Sequence, residues 1–304
     1  MPLERIDHIL IAVQDLDAAT RDYEALTGRA VSLTGKHPAY GTANAIFQLE
    51  NTYVELITPA GEGPFADRLT AFLKERGDGL IGIALGTDDA KTLSGEWTKA
   101  GLRATAPQPG EGHAPDGTVR QWRNVFVPDD DVLGLFLFAI EHVSDAGSRP
   151  MAAAQGPEEA TLHAVDHVVV NTPDGNRAIS LFGDAMGIRL ALDRDAPQWG
   201  ARMMFFRLGG ITLEVIQRYG DEKIPPMPAD APAQFWGMAF RARDVVAARN
   251  RLAAAGVTVS GVRKGRKPGT MVATVKDRSA GVPTLIIGPD ADADSNAKTD
   301  SKSA

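Results

Sequence analysis

Short apolar runs, each followed by a polar stretch led by Asp, recur four times along the chain. "HILIAV" (8–13), "LIGIAL" (80–85), "HVVVNT" (167–172) and "WGMAF" (236–240) read as buried or half-buried strands. Behind three of them come "DLDAATRDYEAL", "DDAKTLSGEWTKAG" and "DVVAARNRLAAAG", which read as short helices. Asp suits the N-cap, and Gly past the last turn supplies a left-handed stop. Three further strands complete each unit. In "AIFQLENTYVELIT" and "MMFFRLGGITLEVIQ" the Glu-Asn and Gly-Gly pairs read as hairpin turns. The pattern is βαβββ, four times over.

The chain also repeats itself in its residues. His8, Gly28, Gly41, Phe47, Leu49 and Glu55 fall on His167, Gly187, Gly200, Phe206, Leu208 and Glu214 at one constant offset. A fainter echo places Gly82, Ala84, Asp89 and Gly101 on Gly237, Ala239, Asp244 and Gly256. The four units are A (5–60), B (78–142), C (163–218) and D (233–289). The predicted organisation is a first domain over 1–142, a linker over 143–162 rich in Ala, Gly and Pro, a second domain over 163–289, and a disordered tail over 290–304. The tail has no apolar residue larger than Ala at its end and cannot repay its ordering entropy.

Composition narrows the partners. A net charge of −7, spread along 304 residues, argues against nucleic acid and anionic membranes. The absence of Cys excludes disulfides, thiolate nucleophiles and Cys-based metal sites. No signal-type start and no 18-residue apolar run is present, so the expected location is the cytoplasm. Phosphate-loop, dinucleotide and nucleophile-elbow patterns are missing as well.

Paired βαβββ units with "DH" on a first strand and "ELI" or "LEVI" on a fourth resemble the vicinal oxygen chelate superfamily, which holds glyoxalase I, methylmalonyl-CoA epimerase, extradiol dioxygenases and bleomycin resistance proteins. "HPAYGTANAIFQLENTYVELI" is most similar to its glyoxalase-like branch. The resemblance implies an α+β fold in which the four units form two cup-shaped half-barrels. It also implies one metal ligand from the first and one from the fourth strand of each unit. Carried over, these are His8 and Glu55 in A and His167 and Glu214 in C. Units B and D depart from the pattern, with Gly82 and Phe138 in one and Gly237 and about Leu285 in the other.

Imidazole and carboxylate suit a divalent Zn, Fe, Mn, Co or Ni ion acting as Lewis acid, with Glu55 or Glu214 as the base beside a carbonyl. Two arrangements are open. If A pairs with B and C with D, each half holds two ligands. If A faces C, the four converge on one His₂Glu₂ site. Each His stands 47 residues before its Glu in both halves, which favours a site over two core histidines. Alternation puts Tyr53, Glu55 and Ile57 on one face.

His37 and Asn44 in "HPAYGTAN" are candidate substrate contacts at the rim, against a plain turn built on Gly41. Arg207 and Arg241 are candidate anion clamps, against solvated strand ends. "GHAPDGTVRQWRN" reads as a long loop carrying His113, Arg120 and Arg123, and "VRKGRKPG" (262–269) as a solvated basic turn. The expected function is a metal-dependent lyase or isomerase acting on a small metabolite with neighbouring oxygens. The alternatives are a metal-free binding protein of the bleomycin-resistance type, a ring-cleavage dioxygenase, and a pseudoenzyme. The expected partner is a small-molecule substrate. Oligomeric state stays open, a homodimer included.

Overall fold

The computed structural model describes residues 3–144, 150–220 and 225–290. The tail, 291 onward, lies outside the described residues, as does 145–149 of the linker. Unit A is β1 (Leu3–Ala12), α1 (Leu16–Thr27), β2 (Leu33–His37), β3 (Thr42–Gln48) and β4 (Tyr53–Pro59). A helix the repeat does not foretell, α2 (Pro64–Arg76), leads to unit B: β5 (Gly79–Thr87), α3 (Ala90–Lys99), β6 (Gln108–His113), β7 (Val119–Phe126) and β8 (Phe136–His142). Unit C is β9 (Leu162–Asn171), α4 (Gly175–Ile179), β10 (Arg189–Ala196), β11 (Ala201–Leu208) and β12 (Ile211–Arg218). Unit D is β13 (Gln234–Ala242), α5 (Val245–Ala254), β14 (Arg263–Lys264), β15 (Thr270–Val275) and β16 (Thr284–Pro289).

Each unit's helix starts on the same chemistry. Asp15, Asp89, Asp174 and Asp244 accept from backbone N–H groups of the first turn of α1, α3, α4 and α5, and each such cap contributes about 1 kcal/mol. Gly28 ends α1 in the left-handed region. There Arg251 of α5 donates to the carbonyls of Ala25 and Leu26, so a cation from unit D satisfies the C-terminus of the unit A helix. Gly209 and Gly210 both have positive φ and form the expected two-residue hairpin between β11 and β12.

A pairs with B. β1 runs antiparallel to β5 and parallel to β4, and the eight strands close in the order β1-β4-β3-β2-β6-β7-β8-β5. The closure between β2 and β6 rests on one register pair, Lys36 with His113. Helix α2 lays Phe65, Leu69 and Phe72 on an apolar cluster around Leu10, Ile57, Phe136 and Phe138. C pairs with D through β9 and β13, but this sheet is open, with β10 and β14 as its edges. Where two cup-shaped half-barrels were expected, the βαβββ units form one closed barrel and one open sheet. The physical difference lies in β14, only two residues long, and in the missing counterpart of α2 among the described residues between C and D. No described helix is long and apolar enough to cross a membrane.

Candidate active site

The alternation of β4 delivers Tyr53, Glu55 and Ile57 to the inside of the barrel and Val54 and Leu56 to the outer core. His8 enters from β1 and His37 from the end of β2, while β3 contributes Asn44. The segment read as a long loop is instead the β6–β7 hairpin. Its alternation sends Arg120, Trp122 and Asn124 into the same cup and leaves Arg123 outside on Glu141. His113 also stays outside, on Glu111. The cup and its open mouth together hold about 690 Å³ of non-atom space.

Three polar groups are joined at its base. Glu55 is 5% exposed and Asn44 1%. Asn44 Nδ2 donates to Glu55 Oε1 at 2.7 Å, and His8 Nε2 lies 3.3 Å from Glu55 Oε2. His8 stacks on Tyr53 with ring centroids 4.5 Å apart. Its Nδ1 faces Asp7 Oδ1 at 2.9 Å, and His142 Nε2 lies 3.1 Å from both Asp7 oxygens. Neighbouring strand residues ordinarily point to opposite faces. Asp7 escapes this because the β1–β5 register slips between Ile6 and His8, a bulge that turns its side chain beside His8. Burial alone would raise the Asp7 carboxyl. Hydrogen bonds from His142 and His8 reverse this and hold it well below the usual carboxylate range.

His37 is buried, with Nδ1 2.9 Å from Thr42 Oγ1 and Nε2 near Asn44. Burial pushes its pKa down, Glu55 opposes that, and Arg120 adds to it. Gly41 takes the turn that brings His37 and Asn44 together. Its φ is 69°, and a Cβ there would lie 2.5 Å from the Glu62 carbonyl oxygen. In "HPAYGTAN" the turn needs Gly41, and its flanks His37 and Asn44 line the cup.

The lowered His37 pKa makes a stability prediction. The unfolded chain takes up a proton at this His below about pH 6.5, and the folded chain resists it, so stability is full above that pH and is lost on acidification. His163, also pushed down by burial, acts with the same sign. Melting temperature is expected to fall between pH 7 and 5, and His37→Gln is expected to flatten that slope in thermal denaturation scans. An unchanged slope would mean that His37 takes up its proton equally in the folded and unfolded chain.

The second domain repeats part of this frame. The β9–β13 register skips Asp166 as the first skips Asp7. His167 Nδ1 faces Asp166 at 3.1 Å and its Nε2 is 3.7 Å from Glu214. Arg241, the expected clamp, donates instead to Asp166 at 2.8 Å and to the Gly210 carbonyl. Arg207 is exposed on β11 opposite Thr212, away from the first cup. The positions of His37 and Asn44 are taken by Ala196 and Met203. Burial raises the pKa of Glu214.

Because A pairs with B, His8 and Glu55 do not meet His167 and Glu214, and the single His₂Glu₂ site is not formed. His8 Nε2 and Glu55 Oε2 do have the spacing of two ligands each about 2.0–2.2 Å from one ion. Across the cup the other two ligand positions supply no donor. A Cβ on Gly82 would lie 2.7 Å from the Phe136 ring, and Phe138 presents its ring to His8 at 5.9 Å. Among the described residues no three His, Asp or Glu side chains converge as ligands. The donor set does not fit a resident metal ion.

Trp122, Asn124 and His142 line the cup, and Asp7 backs it through His8 and His142, without any of the four having been singled out from the sequence. The i, i+2, i+4 spacing of Arg120, Trp122 and Asn124 was the available signal.

Comparisons with known proteins agree with this architecture. Residues 166–274 match the Glyoxalase/Bleomycin resistance protein/Dioxygenase superfamily. The ethylmalonyl-CoA/methylmalonyl-CoA epimerase of Cereibacter sphaeroides is 33% identical over 100 residues, 33% of this chain and 72% of that protein. The mitochondrial methylmalonyl-CoA epimerase of Homo sapiens is 29% identical over 107 residues, 35% of this chain and 59% of the human protein, so the match spans under two thirds of its length. Among solved structures, a mutant 4-hydroxymandelate synthase from Streptomyces coelicolor superposes with a TM-score of 0.65 at 18% identity, covering 95% of this chain and 94% of that one. The Mn(II)-bound glyoxalase from Novosphingobium aromaticivorans gives 0.62 at 16% identity, covering 94% and 82%. At such identities the likeness is one of fold. With residues 6–162, half of its length, matching the family described as Glyoxalase-like domain, the chain belongs to the glyoxalase-like branch of the vicinal oxygen chelate superfamily.

Proposed function

We propose that the protein is an isomerase or lyase that moves a proton on a small metabolite with neighbouring oxygens, in the cup of the first domain. The observation that carries this is the Glu55–His8–Asp7 row, whose Glu55 and His8 line a largely apolar cup inside a closed barrel. Glu55 is the base: its carboxylate takes a proton from carbon beside a carbonyl, the C–H electron pair moves onto the carbonyl oxygen as an enediolate, and the proton is returned or the adjacent leaving group departs. Asp7 fixes His8 with Nδ1–H toward itself, which leaves Nε2 facing Glu55, ready to share the proton that Glu55 takes up. Asn44 orients the carboxylate through its other oxygen. Arg120 supplies positive charge to an anionic substrate or to the developing oxyanion.

The family's divalent-ion chemistry would have only His8 and Glu55 to draw on, so no step is assigned to an ion. His167 and Glu214 carry the inherited pair without the His and Asn that complete the first cup, and their domain is read as a structural partner. The epimerase names of the relatives fit a proton transfer of this class.

The test is exchange of α-protons for solvent deuterium, followed by proton NMR, on a panel of 2-hydroxy and 2-oxo acids and ketones. Exchange by the chelator-treated protein is expected, and Glu214→Gln should retain it. Saturable binding with no exchange on any compound would establish a sequestering protein of the bleomycin-resistance type instead, and exchange lost on chelation and restored by one divalent ion would return the ion to the site.

A further inference from the structure

Resting on that reading, we propose the substrate class of the first cup: a small 2-hydroxy carbonyl acid that carries an aromatic substituent. Two independent features point to it, one on each wall.

On the unit A wall, Asn44 Oδ1 is buried and has no hydrogen-bond partner. The amide cannot be turned to relieve this, because its Nδ2 already donates to Glu55 Oε1 and a flip would set oxygen against oxygen. A buried acceptor without a donor is costly, so the occupant of the cup is one that brings a hydroxyl or N–H to this point. Asn44 touches Glu55, so that donor sits next to the carbon from which Glu55 takes its proton. A 2-hydroxyl meets this requirement, and Arg120 on β7 meets the acid group.

On the unit B wall, the two positions that would otherwise offer ligands have gone over to aromatic packing. Phe138 lies 5.3 Å from Phe136, 5.6 Å from Phe126 and 6.4 Å from Phe65 in tilted and edge contacts. Of these, Phe65 and Phe138 line the cup with Trp122 and Tyr40. Such faces and edges favour a ring over an alkyl chain of the same size. The absence of a side chain at Gly82 lets Phe136 close in behind Phe138, so the wall is packed as a unit.

The wild-type protein tests this with three probes by isothermal titration calorimetry: mandelate has ring, hydroxyl and acid, lactate lacks the ring, and phenylacetate lacks the hydroxyl. Mandelate is expected to bind at least about tenfold more tightly than either. Asn44→Ala should bring mandelate down to phenylacetate, and Phe138→Ala should bring it down to lactate. Circular dichroism checks that both variants are folded, and the wild-type series stands without them. Lactate equal to mandelate overturns the aromatic part, phenylacetate equal to mandelate overturns the hydroxyl part, and no binding of any probe at 10 mM (about) overturns the class. The binding series and deuterium exchange fail separately. The expected binding order without exchange on any compound sinks the proton-transfer reading alone, and exchange on aliphatic hydroxy acids without a mandelate preference sinks this inference alone.

Discussion

Replacing Glu55 by Gln is expected to slow deuterium exchange at the substrate α-carbon by about 10²–10⁴-fold, the usual contribution of a positioned base. The substitution keeps the shape of the side chain and an oxygen that can accept from Asn44, so the cup stays closed and binding of unreactive acids should change little. The loss should fall on kcat rather than KM, because the proton is taken only in the reacting state. Glu214→Gln removes the twin residue and is expected to leave the rate alone, since its domain lacks counterparts of His37 and Asn44. Equal losses from both variants would place chemistry in both domains. A Glu55→Gln variant with full activity would remove the base from the mechanism altogether.

The second large effect concerns stability. Asp7 is 5% exposed and is the shared acceptor of His8 and His142. Asp7→Ala removes the carboxylate that both imidazoles share, and removal of one partner from a buried charged cluster costs about 3–5 kcal/mol. Urea denaturation should show a midpoint shift of that size without a change in slope. Asp166→Ala provides the internal control. Its side chain is 23% exposed and that of its partner Arg241 35%, so water can replace the lost contacts. A cost of about 1 kcal/mol is expected, near that of a surface pair. Similar costs at both sites would show that the barrel does not shield Asp7 as its closure suggests. Acid should also erase the Asp7 contribution: its carboxyl titrates well below the ordinary value in the fold, so the stabilisation is present above about pH 4 and is lost as the pH falls further.

The repeat carried the fold. Strand alternation, Asp caps and matched glycines are local properties, and they sufficed to place all four βαβββ units and to turn Glu55 inward. His37 and Asn44 were legible for the same reason, as neighbours of a glycine turn. Asp7 was not. Period-two alternation sends it away from His8, and only the bulge between β1 and β5 brings it back; a bulge depends on how two distant strands register, which a single strand does not reveal. Trp122 and Asn124 were hidden by a wrong element assignment, and Arg120 was named only as part of a loop: "APDGTVRQWRN" is rich in turn residues and reads as a loop, yet tertiary pairing with β6 and β8 makes most of it strand. Of the two open arrangements, pairing of A with C, which would unite the four ligands, has a residue pattern behind it but not chain connectivity. Short links between consecutive units make neighbours pair, and the structure follows connectivity. Arg241 lies near the end of β13, and its partner, Asp166, comes from the same unseen bulge.

The closure of the barrel bears on how a ligand reaches Glu55. Parting β3 from β4 would break seven register positions, from Thr42–Pro59 to Gln48–Tyr53. Parting β2 from β6 breaks the single Lys36–His113 position. Thermal breathing concentrates where the fewest bonds must be surrendered, so this seam is the mechanical weak line of the domain. It is bordered on one side by His37 and on the other by the hairpin that carries Arg120, Trp122 and Asn124. Opening this seam would therefore part His37 from the hairpin that carries Arg120, Trp122 and Asn124, so the weakest line of the barrel runs between two walls of the cup.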